Sequence, residues 1–165
     1  MRDTAVGEPA DADFVSGVRS HWDVMARVAE RLCPPGDRDD VLQEALAAAW
    51  RQRAKFDPAR GTLRSWLLSI TANKANRAWR HTARAYDRES SLSYPSVPTT
   101  DERADLFAAM RRLTKRQRTA VVLYYYADLE IAETARAMGC SSGTVKSTLH
   151  DARERIRASL GKDYS

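Results

Sequence analysis

Apolar residues recur at three- and four-residue spacing through most of this 165-residue chain, and the pattern stops once, between about residues 84 and 100. There the run Ser90-Ser-Leu-Ser-Tyr-Pro-Ser-Val-Pro-Thr-Thr100 offers little to bury, and its prolines favour extended backbone. Length alone leaves one core or two open. The break decides for an all-α chain of two small helical domains joined by a flexible linker. The expected layout is a polar tail over 1–12, a helical domain over 13–83, the linker over 84–100 and a second helical domain over 101–162. No internal repeat of fixed period is visible.

Within the first domain, Phe14, Val18, Trp22, Met25, Val28, Ala29 and Leu32 keep helical spacing until Pro34-Pro35-Gly36 ends the run. Asp37 to Asp40 provide N-cap chemistry for the next helix, whose apolar face is Val41, Leu42, Ala45, Leu46, Ala49 and Trp50. Asp57-Pro and Gly61 make Phe56–Gly61 a loop, and Thr62 caps a third helix running to about Thr82. Helical spacing resumes at Asp101 with Leu106, Met110 and Leu113, then Ala120, Val121, Leu123 and Tyr124. Tyr124-Tyr-Tyr126 reads as core on one side and helix surface on the other, with no chemical role.

The stretch from Ile131 to His150 places small, turn and apolar residues where a helix-turn-helix requires them. Ala135 leaves room for two helices to cross, Gly139 can take the left-handed conformation that ends the first, and Val145 and Leu149 point the second inward. The opposite side carries Thr144, Lys146, Ser147, His150 and Arg153, side chains suited to base edges and phosphates. An ordinary two-helix corner is the plainer alternative, but it does not require all these spacings together.

Charge placement says more than the net charge of +5. From Arg51 to Arg88 there are ten Lys or Arg against two acids, and from Arg111 to Lys162 eleven against five, with Asp101, Glu102 and Asp105 between. Polyanionic partners fit both zones. Cys33 and Cys140 are far apart and outside any metal-ligand spacing, so neither a disulfide framework nor a metal site is expected. No Walker-type loop, GxSxG or HExxH is present, so neither an enzyme nor a cofactor is expected. With no long apolar run and no signal-peptide pattern, the chain is expected in the cytoplasm without membrane insertion.

Between Lys55 and His81, aromatic residues interleave with cations: Phe56, Arg60, Arg64, Trp66, Lys74, Arg77, Trp79 and Arg80. Unpaired bases can stack on rings while cations follow the phosphates, and Ser65 or Asn73 can bond a base edge. Trp66, four residues from Ile70, fits the core better than a stacking platform. The preceding helix bears Asp39, Asp40, Gln43 and Glu44, which the helix dipole explains without any partner. Lys115, Arg116 and Arg118, one helix before the helix-turn-helix, can hold phosphates or complement a helix end.

Taken in order, these pieces resemble a known family. Asp40-Val-Leu-Gln-Glu-Ala-Leu46, Ala49-Trp50, Phe56-Asp, Gly61-Thr-Leu-Arg-Ser-Trp-Leu-Leu-Ser-Ile70, Asn73 and Arg80 resemble the second region of bacterial sigma-70-type factors of the extracytoplasmic-function group. Leu113-Thr-Lys-Arg-Gln-Arg118, Ile131-Ala, Gly139 and Gly143-Thr-Val-Lys-Ser-Thr-Leu-His-Asp-Ala-Arg153 resemble their fourth region. The resemblance covers about residues 13–162.

The resemblance implies that Asp40, Gln43, Glu44 and Trp50 dock on the clamp helices of the largest subunit of core RNA polymerase, whose flap is a further partner. It implies that Phe56, Arg60, Gly61 and Thr62, with a helix face bearing Arg64, Ser65, Asn73, Arg77 and Arg80, capture an unpaired base of the minus-ten promoter element. A flipped base held in a pocket stabilises the open duplex, so binding drives melting. Lys115, Arg118, Ser142, Thr144, Lys146, Ser147, His150 and Arg153 would read the minus-thirty-five duplex. An anti-sigma factor is a further implied partner, and the chain in holoenzyme would lie with the nucleoid. Arg77 stands where the family often has Asp, Trp79 where Leu is usual, and Asp128-Leu-Glu130 replaces the usual Gly- and Ser-containing approach to the helix-turn-helix. Two rivals remain: a free-standing helix-turn-helix regulator, and a sigma mimic that sequesters an anti-sigma factor.

Overall fold

The computed structural model describes residues 8–34, 36–88, 109–110 and 112–160. Among them the architecture is helical without strands: α1 (Glu8–Ser20), α2 (Trp22–Leu32), α3 (Arg38–Gln52), α4 (Leu63–Arg88), α5 (Lys115–Val121), a π-helical turn (Val122–Tyr126), α6 (Ile131–Met138) and α7 (Ser142–Leu160). Two short 3-10 turns, Arg53–Lys55 and Pro58–Arg60, lie between α3 and α4. The Ser/Thr/Pro stretch at 90–100 and the acidic strip after it lie outside the described residues. No described helix is long and apolar enough to cross a membrane.

The single helix expected over Phe14–Leu32 is two. His21 (φ −107°, ψ 4°) breaks it, and its amide still bonds the Val18 carbonyl at 3.1 Å. Neither proline nor glycine marks the break, so apolar spacing runs through it. Pro34 and Gly36 (φ +92°) turn the chain into α3, where Asp37 stands at the N-cap with its carbonyl accepting from the Val41 amide at 2.9 Å. Thr62 caps α4 as its sequence position suggests, its hydroxyl accepting from the Ser65 amide at 3.1 Å. That helix runs to Arg88, beyond the expected end near Thr82.

Met25, Leu32, Leu67 and Leu68 are fully buried where α2, α3 and α4 meet. Each such side chain contributes about 1.5–3 kcal/mol by leaving water. Gly17 lets α1 lie against α4, since a Cβ there would meet Leu63 Cδ2 at 2.6 Å. In the C-terminal half, Leu123, Leu129, Val145, Leu149 and Ala152 close α5, α6 and α7 around each other.

The two halves also pack on one another, and their buried side chains form one apolar cluster. α4 meets α6, and α2 meets the π-helical turn. Across this seam Asn76 Nδ2 donates to Thr119 Oγ1 at 2.9 Å with both residues buried, and Thr62 Oγ1 donates to Glu133 Oε1 at 3.2 Å. The Arg64 guanidinium donates to the Ala127 carbonyl. Arg31 lies 4.4 Å from the Tyr126 ring centre and Arg118 5.3 Å from that of Trp79, both cation–π arrangements.

Candidate nucleic-acid and partner interface

The helix-turn-helix forms from α6 and α7 as the small residues require. Gly139 takes φ +64° and ψ 40°, and the Cys140 amide reaches back to the Ala135 carbonyl at 2.9 Å, which ends α6. The unusual approach Asp128-Leu-Glu130 has a clear geometry. Asp128 is left-handed (φ +51°), Leu129 is buried, and the Glu133 carboxylate accepts from the Glu130 amide at 3.3 Å, so α6 starts at Ile131. Ser141 begins α7 by accepting from the Thr144 amide at 3.1 Å.

Along α7, Val145, Leu149 and Ala152 are buried, while Ser142, Lys146, Ser147, His150 and Arg153 are exposed on the other side. Thr144 is half-buried and its hydroxyl is 2.8 Å from that of Ser141, so it supports the turn as well as edging the exposed row. Lys115 is exposed at the start of α5. Arg118 is half-buried against Trp79 on the seam, away from the exposed row.

The loop ahead of α4 is held by its own hydrogen bonds. Asp57 caps the second 3-10 turn by accepting from the Ala59 amide at 3.0 Å. Phe56 lies 5.5 Å from Trp66, which meets Phe14 edge-on at 6.3 Å, so Trp66 is a packing residue as its spacing suggests. A cavity of about 410 Å³ opens beside the loop, walled by Phe56, Gly61 and Trp66 on one side and by Arg136 and Gly139 of the helix-turn-helix on the other. Arg136 carries no mark in the sequence beyond its charge. Only folding places it at the loop.

The expected cationic face of α4 is two faces. Arg64 and Asn73 are nine residues apart, which at about 100° per residue puts them on opposite sides of the helix. Arg64 is half-buried against the C-terminal half, whereas Asn73, Arg77 and Arg80 are exposed at i, i+4 and i+7. Ser65 is 5% exposed and lines the same loop cavity, and its hydroxyl donates to the Thr62 carbonyl at 3.0 Å, so here it shapes the turn. Thr62 and Arg60 are exposed, and Gly61 is half-buried.

On α3, Asp40, Gln43 and Glu44 are exposed, and Glu44 pairs with Lys74 of α4 at 3.4 Å. Arg77 and His81 line a groove of about 420 Å³ with Asp37, Asp40 and Glu44, so the carboxylates lie alongside the Arg77 charge. Trp50 is 42% exposed, with the Arg53 guanidinium 4.0 Å from its ring centre. It joins Trp22 (43% exposed), Val15, Val18 and Leu46 along an apolar groove of about 520 Å³ between α1 and α3. Trp22 keeps the helical spacing of its apolar neighbours in the sequence yet lies on the surface.

Two titratable groups are displaced. Burial and then the Arg64 charge lower the His21 pKa below its ordinary 6.5, keeping the imidazole neutral. Burial, helped by Asp37, raises the Cys33 thiol to about 11, which leaves it protonated and unreactive at neutral pH. No group of three or more His, Cys, Asp or Glu suited to a metal ion occurs among the described residues.

Comparison with known proteins accounts for this arrangement. Residues 18–85 match sigma-70 region 2, and residues 103–156 match sigma-70 region 4. The RNA polymerase sigma-E factor of Streptomyces coelicolor is 35% identical over 155 residues, covering 90% of this chain and 86% of that protein. The extracytoplasmic-function sigma factor SigK of Mycobacterium tuberculosis is 27% identical over 164 residues, covering 93% and 87%. Among solved structures, CnrH in complex with the cytosolic domain of CnrY matches with a TM-score of 0.71 at 28% identity, over 93% of this chain and 90% of that one. The sigma factor RpoE of Bartonella quintana, in complex with the anti-sigma factor NepR, shares the fold with a TM-score of 0.73 at 23% identity, over 90% and 97%. With both regions present in order and a relative of 35% identity aligned along 90% of this chain, the chain belongs to the extracytoplasmic-function group of the sigma-70 family and is a sigma factor that directs transcription initiation by RNA polymerase.

Proposed function

We propose that the chain reads promoters at two points. The exposed row Ser142, Lys146, Ser147, His150 and Arg153 of α7, with Thr144 at its edge and Lys115 on α5, enters the major groove of the minus-thirty-five element. The loop from Phe56 to Thr62, with Asn73, Arg77 and Arg80 on α4, takes an unpaired base of the minus-ten element and the strand that carries it. Arg64 and Arg118 join these sets only when the seam between the halves opens. The functional units are 13–83 and 101–162, with 84–100 between them as the tether, its first residues continuing α4 to Arg88.

Asp40, Gln43, Glu44 and Trp50 form the face for the clamp helices of core polymerase, and the C-terminal unit meets its flap. The chain works by binding alone, with no catalytic centre, in the cytoplasm and with the nucleoid once in holoenzyme. An anti-sigma factor is proposed as its regulator, since the RpoE that shares this fold is found in complex with the anti-sigma factor NepR.

The observation that carries the reading is the α7 surface. Polar and cationic side chains are exposed along the side opposite Val145, Leu149 and Ala152, an arrangement that a two-helix corner has no need of. Run-off transcription with purified core polymerase and a library of genomic upstream fragments tests it. Defined start sites that appear only when the chain is added are expected. Duplex binding without any polymerase-dependent start would instead make the chain a free-standing regulator, and binding to an anti-sigma factor alone would make it a mimic.

A further inference from the structure

We propose that α1 is a brace across the neck of the base-capturing loop and that Phe14 is its positioning residue, holding the loop in the shape that receives an unpaired base. The proposal rests on the capture role of the Phe56–Thr62 loop. Asp11, Phe14 and Gly17 recur every three residues, which keeps them on one side of α1. Each touches a different part of the loop's base. Asp11 reaches Arg53, where α3 has ended and the loop begins, its Oδ1 accepting from Nε at 2.7 Å. Gly17 lies against Leu63, the first residue of α4, where a Cβ would meet Cδ2 at 2.6 Å. Between these points the Phe14 ring stands 6.2 Å from Trp50 of α3 and 6.3 Å from Trp66 of α4. One helix holds both ends of the loop.

Within the N-terminal half the loop has little else to locate it. From Ala54 to Arg60 every residue is exposed except Phe56, which rests on Trp66 with ring centres 5.5 Å apart. The bonds from the Ala59 amide to Asp57 Oδ1 and from the Arg60 amide to the Asp57 carbonyl are internal, so they shape the turn without fixing its place on the domain. Trp66 is the shared partner. Phe56 packs on it from the loop and Phe14 meets it edge-on from α1, so a shift of Phe14 reaches Phe56 through one ring. All three ring pairs lie in the attractive range of about 4.5–7 Å between centres. Arg53 is tied on its other side too, its guanidinium 4.0 Å from the Trp50 ring centre and donating to the Trp50 carbonyl at 2.9 Å. Asp11 therefore grips a cation that is already part of the α3 end. A loop held in its bound shape before the base arrives loses less entropy on binding, so the brace should register as capture affinity and not only as stability.

Holoenzyme assembled from core polymerase and the full chain is titrated with single-stranded minus-ten fragments of a promoter found by run-off transcription, each carrying aminopurine at one successive position. A fluorescence change confined to one position marks the captured base, and its titration gives the capture affinity. Core is saturated with each variant beforehand, so that a change at Trp50 does not enter the comparison. Phe14→Leu keeps an apolar side chain but removes the ring, and should weaken capture by roughly threefold to tenfold, the order of one or two aromatic pairs. Binding of the minus-thirty-five duplex and helicity by circular dichroism should stay as in the parent. Phe14→Tyr keeps the ring and should restore capture. Asp11→Ala, which cuts the tie to Arg53 without touching the rings, should act in the same direction by roughly twofold, the order of a part-exposed ion pair. Equal capture by the parent, Phe14→Leu and Asp11→Ala overturns the brace. Loss of capture only in step with duplex binding and helicity makes Phe14 a packing residue and overturns it as well. No position-specific change in the parent, with normal run-off, overturns the capture role of the loop, and the brace with it.

Discussion

Replacing Gly139 and Gly143 by alanine should move stability in opposite directions, although the two lie four residues apart. Gly139 has φ +64°, and a Cβ there would meet nothing within 4 Å. No clash therefore enters, and the cost is the left-handed backbone itself, about 1–2 kcal/mol for a residue with a Cβ. Gly143 sits in the first turn of α7 with no positive φ, and its Cβ would find only Ser141 Oγ at an ordinary 3.8 Å. Alanine there lowers the entropy of the unfolded chain and should add about 0.5–1 kcal/mol. In a chain of this size each kcal/mol moves Tm by about 2–4 °C. Gly139→Ala should lower the melting temperature by about 2–8 °C and Gly143→Ala should raise it by about 1–4 °C, read by circular dichroism at 222 nm with matched urea titrations. Gly139→Asn should fall between wild type and Gly139→Ala, since Asn tolerates the left-handed region. Equal melting of wild type and Gly139→Ala would refute the left-handed end of α6, and with it the turn that aims α7.

Lys146→Ala should weaken minus-thirty-five duplex binding and reduce the slope of log K against log salt by about 0.9 if it contacts one phosphate; an unchanged slope removes Lys146 from the phosphate contacts. Asp40→Ala with Glu44→Ala should reduce binding to core polymerase in a pull-down or by polarisation, while the helicity and duplex binding of the full chain stay as they were, and loss of helicity would point to the Lys74 pair as structural. His21 titrates below 6.5 when folded, so the unfolded chain binds the proton first and stability falls as pH drops below 6.5, fully so only beneath the folded value. His21→Gln should therefore show a shallower loss of Tm between pH 7.5 and 5.5 than wild type, and parallel curves would contradict the lowered pKa of the partly buried imidazole.

Much of this was legible in the chain because local chemistry sets it. Gly139, Val145 and Leu149 define the helix-turn-helix, Thr62 the start of α4, and Pro34 and Gly36 the end of α2, each through a backbone preference or a spacing that needs no distant partner. The break at His21 was not legible, because apolar spacing continues through it. Nor was the role of Ser65, whose hydroxyl turns back to its own helix start. Asn76 and Thr119 lie 43 residues apart in different halves, and nothing local in either pairs them. The same limit applies to Arg64 and Arg136. Charge suggested DNA for the first and nothing for the second, while the fold puts both on the seam between the halves.

The central claim is that one chain reads two promoter elements at once, and promoter spacing tests it most directly. On a promoter found by run-off transcription, inserting or deleting about 5 base pairs between the elements rotates one against the other by about half a helical turn. Initiation by core polymerase with the chain should collapse on both altered templates and return when the original spacing is restored. Undiminished initiation at every spacing would mean that a single element is read, and the two-point account would fail.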